Sequence, residues 1–506
     1  MRVEFCAAAA SAALALSTAP AWAQEELDAC AALADLALPD LVSLDAEHVP
    51  AGPFAVPASG PRPAGTANLP SFCRVRGVVS PAIGFEVWLP EPAAWNGRFE
   101  AVGGGGFAGV ISYSAMTPAL QAGYVTASTD TGHVASDLEW LAKLGPMRDY
   151  GYRAIYEMTA KAKAVTAAYY DRGPDYSYFN GCSTGGRQGL MEAQRFPDDY
   201  DGIVSGAPVN YFVATHYTQL WVALASKPES DESILSAEDL RLVNDAVLAQ
   251  CDGLDGVDDG VLEDPTACSF DPASVQCPLG SGGECLSAAQ VTALRKIYSG
   301  PENPSTHERL HRGFARGGEP SWSLVTSPGL ASIPQEYFSR SVFADPLWNW
   351  RTFDFADDVA LSNKMTGELL DATSPDLSAF RDRGGKLLLY HGWNDQLIPP
   401  EGSIDYYENV ASTLPPNAVA QQASDFFRLF MVPGMTHCRG GTGTDRFDAQ
   451  SAIEAWVERG VAPDRIEATR EDNGREVRSR PLCPYPQTAQ YDGSGSTDQS
   501  SNFTCQ

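Results

Sequence analysis

The most constraining feature of the sequence is a Gly-x-Ser-x-Gly pentapeptide, GCSTG, at positions 181–185. It follows an apolar run at 176–180 and opens a helix-like segment that ends near Phe196. A strand, a sharp glycine turn and a helix in this order are typical of a nucleophile elbow, which holds a strained serine with its hydroxyl projecting away from a sheet. The motif also occurs by chance in ordinary loops, so the residues downstream decide its meaning.

Two later segments supply the partners that a serine nucleophile needs. In hydrolases with such an elbow, an acid and then a histidine follow the serine along the chain, each just after a core strand. Here a strand-like run at 386–390 leads to Asp395, and another at 426–432 leads to His437. The order and the strand context favour these roles over a solvated turn acid and a loop histidine. Ser183, Asp395 and His437 are therefore predicted to form a catalytic triad.

Cysteines flank two members of this predicted triad. Cys182 precedes Ser183 and Cys438 follows His437, so a triad that brings serine to histidine also brings the two sulfurs together. A disulfide at that place would hold the elbow to the histidine loop. The arrangement of Cys-Ser, Asp and His-Cys resembles the tannase and feruloyl esterase family, which includes MHETase-like enzymes. The resemblance extends from Cys73 through GGGGFAG at 103–109 and LYHG at 389–392 to RPLCPY at 480–485.

The resemblance implies a secreted serine esterase that acts on small aromatic acid esters. Hydroxycinnamates, gallates and the terephthalate half-ester are the three candidate substrates, and feruloyl esterase-like activity is preferred among them. A non-catalytic secreted carbohydrate-binding protein is the alternative from another class. It is disfavoured because every catalytic position is filled.

Length and pattern predict an α/β-hydrolase core with a large inserted lid domain. The 506 residues exceed one ordinary domain, and residues 213–372 are rich in loops, prolines, tryptophans and cysteines. We expect residues 24–212 and 373–506 to form the catalytic domain. Within that core, strand-like runs at 124–128 and 176–180 flank a helix-like segment at 149–170, which predicts a βαβ unit with parallel strands. Several lid aromatics could face a ring-bearing substrate: Trp322, Tyr337, Phe338, Phe343, Trp348 and Trp350.

A glycine-rich segment at 103–109 follows two strand-like runs at 85–89 and 98–102. Glycines let backbone N–H groups come close to a ligand. In the hydrolase arrangement, the N–H of Thr184 is the first oxyanion donor and the glycine-rich segment supplies the second, either Gly104 or Gly105. A phosphate-binding loop is disfavoured because no Gly-Lys-Ser/Thr follows.

The first 23 residues have the pattern of a signal peptide. A short basic start, an alanine- and leucine-rich core and Ala-Trp-Ala at 21–23 predict cleavage and export, so the protein is expected to be secreted or periplasmic. No later apolar run is long enough to cross a bilayer. The net charge of -29 argues against a nucleic-acid partner. The sequence does not indicate an oligomeric state.

Cleavage would remove Cys6 and leave ten of the eleven cysteines, an even number that favours disulfides in an oxidising compartment. Zinc is disfavoured because no Cys-x-x-Cys pair or histidine cluster accompanies them. Nearness and the family resemblance imply five pairs: Cys30 with Cys73, Cys182 with Cys438, Cys251 with Cys268, Cys277 with Cys285, and Cys483 with Cys505.

An acidic, glycine-containing loop at 252–261 offers oxygen ligands of the kind that calcium prefers, although it does not match an EF-hand. By resemblance to the family's calcium loop, a structural Ca²⁺ ion would be held by the side chains of Asp252, Asp255 and Asp259 and by the carbonyls of Val257 and Val261. The alternative is a solvated acidic turn.

Overall fold

The computed structural model describes residues 29–58, 63–278, 284–414 and 423–506. The predicted signal peptide, including Cys6, lies outside these ranges. In the part of the chain that is described, no helix is long and apolar enough to cross a membrane.

The described residues form sixteen strands in one large and three small sheets. They are β1 (Leu41–Val49), β2 (Gly52–Val56), β3 (Gly65–Leu69), β4 (Phe72–Val79), β5 (Ile83–Pro90), β6 (Arg98–Val102), β7 (Val125–Thr129), β8 (Tyr176–Cys182), β9 (Gly202–Gly206), β10 (Lys386–Gly392), β11 (Phe427–Val432), β12 (Arg446–Phe447), β13 (Ile466–Asp472), β14 (Arg475–Leu482), β15 (Ala489–Tyr491) and β16 (Phe503–Cys505).

The large sheet has nine strands in the order β1-β4-β5-β7-β6-β8-β9-β10-β11. Strands β1, β4 and β5 are antiparallel to their neighbours, whereas β7, β6, β8, β9, β10 and β11 run parallel to one another. The carboxyl ends of parallel strands meet at one edge of a sheet, which is where α/β proteins place their ligands. The loops that follow β8, β10 and β11 therefore bring the predicted serine, aspartate and histidine to the same edge.

Helices connect and cover the strands, with short 3₁₀ and π turns between them. The α-helices of the described residues are Tyr113–Gln121, Leu144–Arg148, Ala154–Tyr170, Thr184–Arg195, Phe212–Ser226, Ala237–Cys251, Ala288–Ser299, Ser323–Thr326, Ser332–Tyr337, Asp357–Ser362, Glu368–Leu370, Ser378–Asp382, Glu401–Ser412 and Ala449–Arg459.

Side chains of β8 show why the sheet is covered on both faces. Successive residues of a strand point to opposite faces. Phe179 packs with Met158 of the helix Ala154–Tyr170, whereas Tyr178 packs in a second cluster with Trp456 of the helix Ala449–Arg459. Both tyrosine and phenylalanine are fully buried. Two apolar layers on one mostly parallel sheet make an α/β fold.

The strand predicted at 98–102, the helix predicted at 149–170 and the predicted βαβ unit are all present in the core. Strand β6 coincides with the predicted run, and the predicted helix at 149–170 begins as a π turn, Asp149–Arg153, before the α-helix Ala154–Tyr170. Strands β7 and β8 both pair with β6 in parallel, which confirms the predicted βαβ unit. Strands β9 and β10 are neighbours in the sheet, and the described chain between them, after Gly206 and before Lys386, adds no strand to it.

Candidate active site

Ser183 lies on a strained turn between β8 and the helix Thr184–Arg195. Its φ is 65° and its ψ is -123°, a conformation that few non-glycine residues adopt. The flanking glycines are required by space: a Cβ on Gly181 would come within 2.6 Å of the Gly185 backbone, and a Cβ on Gly185 would come 3.1 Å from Gly103. The Ser183 N–H donates to Gly206 O at 2.9 Å, which holds the turn to the next strand.

His437 and Asp395 form a close pair at the same edge of the sheet. Nδ1 of His437 donates to Oδ2 of Asp395 at 2.7 Å, which leaves Nε2 available to act as a base. Burial alone would lower the pKa of His437, but the charge of Asp395 and the hydrogen bond to it outweigh burial and raise that pKa. Ser183 and His437 line one cavity, and the serine hydroxyl makes no hydrogen bond to His437 in this structure.

Asp395 is fully buried and accepts four hydrogen bonds. Oδ1 accepts from the N–H groups of Leu397 and Ile398 at 2.8 and 2.9 Å, and Oδ2 accepts from His437 and also from Nε2 of His391 at 3.1 Å. Burial would raise the pKa of Asp395, but the charge of His437 and the two histidine hydrogen bonds hold it well below its usual range. The aspartate therefore stays ionised and keeps the His437 ring oriented.

His391 is a component that the sequence interpretation missed. It is fully buried, and its Nδ1 lies 2.7 Å from Ser403 Oγ, so the ring is fixed at both nitrogens. Because a carboxylate can only accept, Nε2 must donate to Asp395. The spacing of His391 four residues before Asp395 was visible in the sequence, but nothing there indicated that the two side chains turn toward each other.

The two glycines predicted as oxyanion donors differ in their surroundings. The N–H of Gly104 donates to Gln188 Oε1 at 2.9 Å and is therefore already bonded. The residues of this loop that reach the cavity are Gly106 and Phe107. Thr184 also lines the cavity, and its Oγ1 donates to Gly106 O at 2.6 Å, which ties the glycine-rich loop to the elbow. Gly105 has open space around its Cα, and neither of the two glycines is among the residues that line the cavity.

The cavity beside Ser183 has a volume of about 70 Å³ and mostly apolar walls. The predicted lid contributes Ile333 and part of the helix Phe212–Ser226, while the core contributes Phe107 and the residues after Asp395. The lid aromatics proposed from the sequence are not among its lining residues. Trp322, Tyr337 and Phe338 are instead buried in the apolar cores. The complete lining is Gly106, Phe107, Ser183, Thr184, Val209, Phe212, Thr215, His216, Gln219, Ile333, Leu397, Ile398 and His437.

The ten cysteines are bonded in the same five pairs that nearness and resemblance implied: Cys30–Cys73, Cys182–Cys438, Cys251–Cys268, Cys277–Cys285 and Cys483–Cys505. The Cys182–Cys438 bond joins the residue before Ser183 to the residue after His437. The elbow and the histidine loop are thus linked covalently as well as by packing.

The acidic loop surrounds a small cavity of about 20 Å³, enough for one water-sized ion. Asp255, Val257, Asp259 and Val261 line it, together with Glu263, which the sequence interpretation did not single out. Asp252 does not line it, because its carboxylate accepts from the N–H of Gly260 at 2.9 Å.

One of these carboxylates already has a positively charged partner, with which a bound cation would have to share it. Asp259 is paired with the guanidinium of Arg480. Within the described ranges no three acidic, histidine or cysteine side chains converge as a metal-binding group. The remaining carboxylate and carbonyl oxygens are of the hard type that suits calcium, so the donor chemistry and the size fit this ion.

The mostly parallel α/β sheet, the strained serine and the histidine-aspartate pair at its edge define a carboxylic ester hydrolase. The family model described as "Tannase and feruloyl esterase" matches residues 68–506. The chain belongs to this family.

Relatives at 36–40% identity are hydrolases by name. An uncharacterized esterase of Xanthomonas campestris is 40% identical, with 94% of this chain and 91% of that protein covered. Mono(2-hydroxyethyl) terephthalate hydrolase of Piscinibacter sakaiensis is 36% identical, with 88% and 87% covered. The crystal structure of feruloyl esterase B from Aspergillus oryzae superposes with a TM-score of 0.85 at 29% identity, covering 95% of this chain and 100% of that one.

Proposed function

We propose that this protein hydrolyses esters of small aromatic acids with Ser183 as the nucleophile, His437 as the general base and Asp395 as the group that orients His437. The observation that carries the proposal is the position of Ser183 and His437 on one largely apolar cavity, with Asp395 bonded to the far side of the histidine ring. An apolar cavity of this kind suits an aromatic ring.

The reaction follows from these positions. His437 Nε2 takes the hydroxyl proton as Ser183 Oγ attacks the ester carbonyl, and Asp395 stabilises the imidazolium that forms. The N–H groups of Thr184 and Gly105 stabilise the tetrahedral oxyanion. His437 then gives its proton to the departing alcohol. Water, activated by the same histidine, hydrolyses the acyl-enzyme and releases the free acid.

Feruloyl esterase-like activity is the preferred assignment, with gallate esters and the terephthalate half-ester as the alternatives. The overall agreement with feruloyl esterase B supports it, whereas the relative named for the terephthalate half-ester supports the alternative. Rates on methyl ferulate, methyl gallate and mono(2-hydroxyethyl) terephthalate test this order. Hydrolysis of none of these three, with no activity on a chromogenic acetate ester, would indicate a non-catalytic binding protein instead.

We also propose that residues 213–372 form a lid domain on a catalytic core of residues 24–212 and 373–506. The insertion between β9 and β10 and the contribution of Ile333 to the cavity support this division. Five disulfides support a secreted or periplasmic location, since such bonds persist in oxidising compartments.

The acidic loop is further proposed to hold a structural calcium ion. Asp255, Asp259 and the carbonyls of Val257 and Val261 would bind it where they line the small cavity. Asp252 would join them by turning from the Gly260 N–H. Such an ion would tie the loop to the segment around Arg480 and Phe503, which line the same cavity.

A further inference from the structure

His216 is a polar side chain in the wall of the cavity beside Ser183 that the proposed reaction does not use. It lies on the helix Phe212–Ser226 and is 3% exposed. Its ring packs against Phe212 and Tyr337, with centroids 4.3 and 5.1 Å away. The histidine is therefore held in place by two aromatic neighbours.

The tautomer of His216 follows from its hydrogen bond. Nδ1 lies 2.6 Å from the carbonyl oxygen of Phe212, and a carbonyl can only accept, so Nδ1 carries a proton. Burial lowers the pKa of His216 to about 4, so the ring is neutral at the pH at which His437 acts as a base. Nε2 is then a bare acceptor, and it makes no hydrogen bond within the described residues.

The described wall of the cavity beside Ser183 carries no positively charged side chain that could bind a carboxylate. Among the described residues that line the cavity, none is a lysine or an arginine. The nearby cation, Arg187, is fully buried behind the wall and donates to the carbonyls of Tyr150 and Gly151. A carboxylate placed here would be desolvated without a counter-charge and would meet an acceptor nitrogen, which is costly.

We propose that His216 Nε2 accepts a hydrogen bond from a phenolic hydroxyl on the acyl ring of the substrate, and that the cavity selects uncharged phenolic acids over the anionic terephthalate half-ester. The inference rests on the proposed function and narrows it. His216 is a specificity-determining residue, because it contacts the ring and takes no part in proton transfer at the ester.

Matched ester pairs test this selection. Methyl p-coumarate and methyl cinnamate differ only in the ring hydroxyl, and a site built around that hydroxyl discriminates against the analogue that lacks it. We expect the wild-type kcat/KM to be at least about 10-fold higher for methyl p-coumarate, and higher still relative to mono(2-hydroxyethyl) terephthalate. Equal rates on the two cinnamates, or a preference for the terephthalate half-ester, would overturn the proposal.

Variants of His216 separate specificity from folding. His216→Asn keeps a donor near the Nδ1 position and removes the acceptor, whereas His216→Gln places an amide oxygen within reach of the Nε2 position. His216→Asn should reduce the p-coumarate to cinnamate ratio to about one, and His216→Gln should keep part of it. His311→Phe is the matched control, since His311 is another buried neutral histidine and does not line the cavity. Its ratio should equal that of the wild type.

A 4-nitrophenyl acetate assay distinguishes failure of this proposal from failure of the proposed function. Wild-type protein that cleaves the acetate but none of the aromatic esters would refute the aromatic substrate class itself. A His216→Asn variant that keeps the wild-type ratio of methyl p-coumarate to methyl cinnamate would refute the role of His216 alone.

Discussion

Cys182 and Cys438 are 256 positions apart in the sequence, yet their Cα atoms lie 6.1 Å from each other and their sulfurs are bonded. Ser183 and Cys438 both have positive φ angles, 65° and 63°, so the bond connects two strained turns. Each turn carries one of the groups that must meet for proton transfer. The disulfide thus fixes the spacing of the serine and histidine segments at the edge of the sheet.

The proposed nucleophile can be tested directly. Ser183→Ala removes the attacking oxygen and leaves the backbone of the turn in place, so kcat should fall by about 10⁴-fold or more while the melting temperature changes little. Ser183→Ala protein that turns over aromatic esters at near the wild-type rate would rule out Ser183 as the nucleophile. Steady-state kinetics on methyl ferulate and thermal unfolding of the same preparations provide both measurements.

The pH profile should report His437. Protonated His437 cannot accept the serine proton, and Asp395 raises the histidine pKa above its ordinary 6.5, so kcat/KM should be lost as the pH falls through that raised value. Asp395→Asn removes the charge that raises it. The acid limb should then move to lower pH, and kcat should drop by about 10⁴-fold. An acid limb that stays in place in Asp395→Asn would mean that another group controls it.

Short-range pattern in the sequence was enough to predict the elbow and the order of its partners. Phe99, Phe179 and Leu389 lie in apolar runs bounded by glycines and polar residues, and these runs became β6, β8 and β10. The side-chain contacts within the site were not predictable in this way. Whether Gln188 accepts from Gly104, or His391 donates to Asp395, depends on how separate segments pack.

The proposed calcium ion should be visible as a change in stability. An ion bound only by the folded protein stabilises it by mass action, so a chelator should lower the melting temperature. Asp255→Ala should abolish this sensitivity because Asp255 lines the small cavity. Asp258→Ala is the matched control, since Asp258 is exposed on the same loop and does not line the cavity. Elemental analysis that finds no calcium after purification with the ion present would refute the site.

Replacing both Cys182 and Cys438 with alanine should harm activity more than folding. A cross-link that closes so long a loop contributes about 5 kcal/mol in the chain-entropy description, and measured values are often smaller. The local effect on rate is separate. Without the bond, packing and the hydrogen bonds of His437 to Asp395 and Gln396 keep the histidine near Ser183, and a displacement of about 1 Å between reacting groups can cost on the order of 100-fold in rate. We therefore expect kcat to fall by about 100-fold in protein that still unfolds cooperatively.

The disulfide Cys277–Cys285 provides the control for this experiment, because it closes a short loop of the insertion and neither cysteine lines the cavity. Its double alanine variant should keep the kcat of the folded protein close to the wild-type value, because neither cysteine lines the cavity, while loss of the bond should lower the melting temperature. Kinetics and thermal unfolding measured on both double variants separate loss of positioning from loss of folded protein. If the Cys182/Cys438 variant loses activity only in proportion to its folded fraction, the bond stabilises the fold without positioning His437.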